Sequence, residues 1–193
     1  MMLSDLFTKM TNAALSKGAA NASVVEVSSI KLDKVFRDMC ASNICGTYGK
    51  CWMCPPDVGE IEVLMDEFRS YKYALVYQTI DMLEDSFDFE GMIDARKNMS
   101  KLAQDMREVS SFSELSRTLH LSVGGCGVCS VCSKKTGEPC RFPDLAIPSL
   151  EAYGVNVSAL ASLAGMKYIN GKDTVTYFGA VLFDINGSTA NNE

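Results

Sequence analysis

Histidine is almost missing from this chain: there is one in 193 residues, His120. With a single imidazole, no serine or cysteine has an obvious His-based partner, so nothing in the sequence points to a nucleophile of that kind. Long apolar runs are missing too. No stretch approaches 18 apolar residues, and the opening Met1-Met-Leu-Ser-Asp-Leu-Phe-Thr-Lys lacks the apolar centre of a secretory signal. The expectation is a cytoplasmic protein without a membrane partner. Positive charge is in deficit, with 18 Lys and Arg against 24 Asp and Glu for a net −6, which offers nucleic acid no general attraction. The one glycine-rich stretch, Gly124-Gly125-Cys126-Gly127, is neither a phosphate loop nor a dinucleotide fingerprint. The C-x3-C-x2-C spacing associated with radical enzymes that cleave adenosylmethionine is also not present.

What the chain has is cysteine, eight in all, and none scattered: Cys40, Cys45, Cys51 and Cys54 form one group, and Cys126, Cys129, Cys132 and Cys140 the other. Disulfides are rare in a reducing compartment, and two groups of four is the arithmetic of two four-thiolate metal sites. The second group reads C-x2-C-x2-C-x7-C. Its even triplet lets one loop turn three thiolates toward one centre, as the C-x2-C-x2-C-x3-C-P run of bacterial ferredoxins does. Here the last gap is longer, Arg141 follows Cys140, and proline waits until Pro143. The first group reads C-x4-C-x5-C-x2-C, with Gly46 and Gly49 to let the backbone turn and Pro55-Pro56 to stiffen its exit. Zinc is the competing metal, since Cys51-x2-Cys54 and the pair before it could close a tetrahedron. A bare redox dithiol at Cys51 and Cys54 lacks the flanking strand and helix of a thioredoxin site. His120, at a strand-like position, reads as packed or hydrogen-bonded rather than as a ligand.

Apolar periodicity places the remaining elements. Residues 2–17 form a helix stopped by Gly18, Ser23–Ser29 a strand, and 31–39 a short helix that ends at Cys40. Glu60–Arg69 is helical and Tyr71–Ile80 a strand rich in β-formers. The acidic stretch Asp81–Glu90 reads as a solvated connection. Met92, Ala95, Met99, Leu102, Met106 and Val109 mark a long helix whose methionine stripe is core. Thr118–Val123 is a strand that runs straight into the second cysteine group. Gly154 stops a turn at Pro148–Tyr153, Asn156 caps a helix ended by Gly165, and Asn170-Gly171 signals a hairpin between Tyr168-Ile169 and the long strand Thr174–Asp184. The expected fold is a single α/β domain (α+β being the variant) over residues 1–185, with a central sheet, flanking helices and two cysteine loops. Residues 186–193 are expected to form a flexible tail.

Two segments carry a resemblance. Tyr48-Gly-Lys-Cys-Trp-Met-Cys-Pro-Pro56, and Gly124-Gly125-Cys126 through Pro139-Cys-Arg-Phe-Pro143 followed by Pro148-Ser-Leu-Glu-Ala-Tyr-Gly-Val155, resemble the proteins grouped as domain of unknown function 2284. The likeness runs from about Cys40 to Leu182. It implies metal binding, most plausibly iron–sulfur, and no established reaction. Leu150 and Asn156 stand where relatives are expected to carry methionine and aspartate; neither is a ligand.

The residues and the resemblance together lead to an iron–sulfur protein with two [4Fe-4S] clusters, working in electron transfer with an unidentified redox partner. Cys40, Cys45, Cys51 and Cys54 would hold one cluster; Cys126, Cys129, Cys132 and Cys140 the other. Lys50, Lys134, Lys135 and Arg141 adjoin the groups and could offset cluster charge or equally be ordinary surface charges. An enzyme that keeps one cluster iron open to a small substrate, with Cys140 as the spare thiol, is the first alternative. A module stapled by one or two zinc ions is the second.

Overall fold

The structure is a computed structural model and describes residues 2–187. Helix α1 (Leu3–Ser16) precedes strand β1 (Asn21–Glu26) and the short helix α2 (Lys34–Asp38). Helix α3 (Ile61–Arg69), strand β2 (Tyr73–Met82), helix α4 (Phe89–Asp105) and strand β3 (Leu115–Leu121) follow, then helix α5 (Val157–Leu163) and strand β4 (Thr174–Ile185). The four strands make one sheet in the order β1-β2-β4-β3, and every neighbouring pair is antiparallel. The fold is therefore α+β, and the α/β reading is corrected: no two adjacent strands run parallel, and β2 and β3, which share a direction, lie on either side of β4 and are joined by a crossover that carries α4.

Both sheet faces are covered. Along β2, Ala74 and Val76 point into one core, with Phe68 of α3, Leu160 of α5 and Leu150. Tyr73, Leu75 and Tyr77 point into the other, with Met10 of α1 and Met99 and Leu102 of α4. Strand β4 divides in the same way, Phe178, Ala180 and Leu182 against Val181 and Phe183. A two-residue alternation that is apolar on both faces yields three layers, helix–sheet–helix. One close approach is in the register itself. Gly179 of β4 faces Tyr77, and a Cβ at 179 would stand 2.6 Å from the tyrosine ring.

Sequence signals hold for most helix ends. Gly18, just past α1, has φ +105°. Asn156 Oδ1 accepts from Ala159 N at 2.9 Å to cap α5, and Gly165 follows that helix with φ +72°. The methionine stripe is core, with Met99 and Met106 fully buried. Within the acidic connection, Asp88 does more than face solvent, since it caps α4 by accepting from Gly91 N at 2.8 Å.

One further expectation is corrected. Tyr168-Ile169 is no strand, because both edges of β4 are occupied by β2 and β3, leaving none for a hairpin partner. Tyr168 instead stacks on Phe178, centroids 6.0 Å apart, and Asn170 bonds Thr176 Oγ1 at 2.9 Å. At the expected tail, Asn186 is tied down through its N–H to Glu114 O at 2.8 Å and its side-chain amide to Ser113 O at 2.7 Å. The rest of that tail, 188–193, lies outside the described residues.

Candidate metal centre

Each cysteine group sits on a loop closed at its base. Strand β3 ends at Leu121, and its continuation Ser122 pairs with the returning chain: Ser122 N donates to Pro148 O at 2.9 Å and Leu150 N to Ser122 O at 3.0 Å. Everything from 124 to 147 is an excursion from that clamp, which places the second group just beyond a strand end. The first loop turns on Asn43 (φ 55°), whose Oδ1 accepts from Tyr48 N at 3.1 Å, and closes where Gly49 N donates to Pro55 O at 2.9 Å.

The loops are docked on one another. The Trp52 indole donates to Glu138 O at 3.0 Å. Lys134 pairs with Asp57 and lies 4.3 Å over the Trp52 ring. Thr47 packs so closely on Gly125 that a Cβ there would stand 2.9 Å from Thr47 Cγ2. Lys134 is thus an inter-loop clasp, not a charge left over for a cluster.

All eight cysteines are free thiols; Cys51 and Cys54 are buried, Cys45 is exposed and the other five are partly exposed. Their grouping in space differs from their grouping in sequence. Cys51 lines a small cavity of about 30 Å³ together with Cys126, Cys129, Cys132 and Cys140. Cys45 and Cys54 both lean on the Thr47 hydroxyl, at 3.0 and 3.4 Å. Cys40 sits in the short turn of helix Met39–Ser42 that follows α2. Cys51 is held well below the usual thiol range by the hydrogen bond from Cys54, helped by the peptide N–H groups of Cys126 and Met53 and the Cys132 thiol. Its donor Cys54 is correspondingly pushed up. Burial raises Cys126, and burial followed by Glu151 raises Cys40.

The donor chemistry fits a soft metal, since every candidate is a free thiol. The placement is not that of a closed ligand sphere: among the described residues, no group of three or more His, Cys, Asp or Glu side chains is arranged to hold a metal ion. The loops are brought together, yet the thiols are not drawn onto one point.

His120 is no member of the site. It is buried on β3, and its Nε2 lies 2.8 Å from Ser110 Oγ. Burial, then Arg107, pulls it down from 6.5 to about 4. The unfolded chain therefore takes up a proton below 6.5 that the folded chain refuses until about 4. This cost is absent above the upper value and complete below the lower one, and is worth up to about 3 kcal/mol. Urea unfolding of metal-free protein is expected to show that acid loss, and His120→Gln to flatten it. Parallel pH profiles for the two proteins would refute this.

Periodicity singled out the buried stripe of α4 and missed its other face. Arg96, Lys97, Ser100, Lys101 and Gln104 look onto the second cysteine loop across a cavity of about 390 Å³. The signal was present as a polar stripe repeating at helical spacing, but nothing local says which loop it faces.

The fold and the site define an α+β domain that docks two loops of four free cysteines on one another. Residues 23–183 match the family model described as predicted metal-binding protein (DUF2284), and the chain belongs to that family. No curated protein and no solved structure matches it. No helix among the described residues is long and apolar enough to cross a membrane.

Proposed function

We propose that the chain is an iron–sulfur protein that carries two [4Fe-4S] clusters on its cysteine loops and exchanges electrons with a partner protein. The observation that carries this reading is the gathering of Cys51, Cys126, Cys129, Cys132 and Cys140 around one small cavity, on a loop with the even cysteine triplet. In this assignment Cys51, Cys126, Cys129 and Cys132 serve one cluster, with Cys140 at its edge; Cys40, Cys45 and Cys54 serve the other. Such clusters, when bound, supply one-electron chemistry. The chain's own part is to present thiolates, to bury Cys51 and Cys54, and to surround sulfur with N–H groups and cations that set the potential.

One observation favours the enzyme as second reading. Five thiols, Cys51, Cys126, Cys129, Cys132 and Cys140, line one small cavity, which leaves three outside it, Cys40, Cys45 and Cys54, the last hydrogen-bonded to Cys51. A cluster served by three thiolates keeps an iron free to act as a Lewis acid toward a substrate atom.

Anaerobic purification tests the metal. The expected product is brown, with about eight irons and as much acid-labile sulfide per chain, and bleaches on reduction with dithionite. A colourless protein with one or two zinc ions would replace the reading with a zinc-stapled module, and a brown protein unmoved by dithionite would remove electron transfer.

A further inference from the structure

The cavity of about 390 Å³ between α4 and the second cysteine loop is of a size that takes a small molecule. One wall is the loop, with Cys126, Cys129 and Cys132. The opposite wall is the face of α4 carrying Arg96, Lys97, Ser100, Lys101 and Gln104, none of them a soft metal ligand and all but Gln104 and Ser100 cationic. Lys50 and Lys135 close its sides. Five cations meet here in a chain of net charge −6, and no Asp or Glu lines the space.

Those cations are not used up by the fold. Lys97 and Lys101 pair along the helix with Asp94 and Asp105 at 2.6 and 2.5 Å. Arg96, Lys50 and Lys135 take part in no ion pair among the described residues. Arg96 is half-buried, its aliphatic part resting on Gly124, where a Cβ would press on Cδ at 3.3 Å. Gly127 keeps the space open in the same way, since a Cβ there would stand 3.5 Å from Ser100 Oγ. A guanidinium steadied by packing, two lysines and a serine hydroxyl form a donor set for carboxylate or phosphate oxygens.

We propose that this cavity binds a small anion bearing carboxylate or phosphate oxygens, held by Arg96, Lys50 and Lys135 beside the cysteine loop. The site rests on the cavity and its charges; Cys51, Cys126, Cys129 and Cys132 line the same space, so a cluster held by them would share it with the anion. Beside a cluster it would set the substrate class of the enzyme reading.

Calorimetric titration of the anaerobically isolated, full-length protein with inorganic phosphate and, separately, succinate tests the site at low ionic strength. Saturable binding of at least one probe at one site per chain is expected, and which one binds distinguishes phosphate from carboxylate. Arg96→Gln and Lys50→Gln should each weaken it about tenfold or more, because charge-assisted hydrogen bonds are lost. Lys167→Gln, the same charge change outside the cavity, should leave it unchanged. Iron content measured on the same samples reports on the cluster reading independently. No saturable binding of either probe, equal weakening by Lys167→Gln, or an Arg96→Gln protein that loses its iron while keeping its probe affinity would each overturn the proposal.

Discussion

Metal-free protein, prepared with chelator under reducing conditions, is expected to keep most of its far-ultraviolet circular dichroism while both cysteine loops open to protease. The reason lies in where the apolar cores are built. One joins Phe68, Ala74, Val76, Leu160 and Leu182; the other joins Met10, Leu75, Tyr77, Met99 and Phe183. Neither draws a residue from 40–56 or from 124–143. Burial of that surface, and the antiparallel ladders of β2 with β4 and of β3 with β4, depend on no metal. The loops stand in the opposite position. They are joined by the Trp52–Glu138 and Lys134–Asp57 contacts and bury two thiols, a small return for ordering roughly forty residues of chain. A metal that binds only the ordered loops adds on the order of 10 kcal/mol of binding free energy, and removing it takes that support from the loops alone. Trypsin should cut first after Lys50, Lys135 and Arg141, with the Ser122–Leu150 clamp holding the base of the second loop. Protection of these sites in metal-loaded protein is the control. Collapse of the dichroism on metal removal would show that the whole fold hangs on the centre, contrary to this expectation.

Local signals made much of this molecule legible. Capping residues and helical periodicity act over a few residues, so α1, α3, α4 and α5 could be read from Gly18, Asn156, Gly165 and the Met99–Met106 stripe. The cysteine triplet could be read for the same reason, because its spacing is itself the geometry of one loop. Pairing between distant segments could not. An alternation of strands and helices fits parallel and antiparallel sheets alike, and only the register of β4 between β2 and β3 settles the matter. The chain does turn ahead of β4, at Lys172-Asp173 rather than Asn170-Gly171, but a turn signal does not report that both edges of the following strand are already occupied. The same limit applies to the thiols. Spacing says which cysteines are neighbours along a loop, and says nothing about Trp52 reaching Glu138 and carrying Cys51 across. The cationic wall of α4 was hidden likewise, because its meaning depends on a loop further along the chain.

Replacing Cys51 with alanine is expected to empty the same centre as replacing Cys126, although Cys51 belongs by sequence to the other group. Cys51 is buried, its thiol is held low by Cys54 first and then by the Cys126 N–H and the Cys132 thiol, and it shares its small cavity with the four cysteines of the second loop. In two self-contained quartets Cys51 would keep its partner Cys54 and turn from the second loop, against which Trp52–Glu138 and Thr47–Gly125 hold the first. The docked loops oppose that movement. In the proposed two-cluster protein, Cys51→Ala and Cys126→Ala should each lose about half the iron. Their reduced forms should lack the same electron paramagnetic resonance component. Cys40→Ala should lose the complementary component, because Cys40, like Cys45, lies outside the small cavity that Cys51 shares with the second loop. Alanine is the choice because a serine hydroxyl can stand in for a thiolate and blur the outcome. A Cys51→Ala protein whose spectrum matches that of Cys40→Ala would restore the two sequence quartets. Loss of all iron in every variant would show that the two centres do not form independently, and would equally remove the assignment. The docking of the loops thus makes a definite claim on the electronic spectrum: one thiol from the first loop completes the triplet of the second.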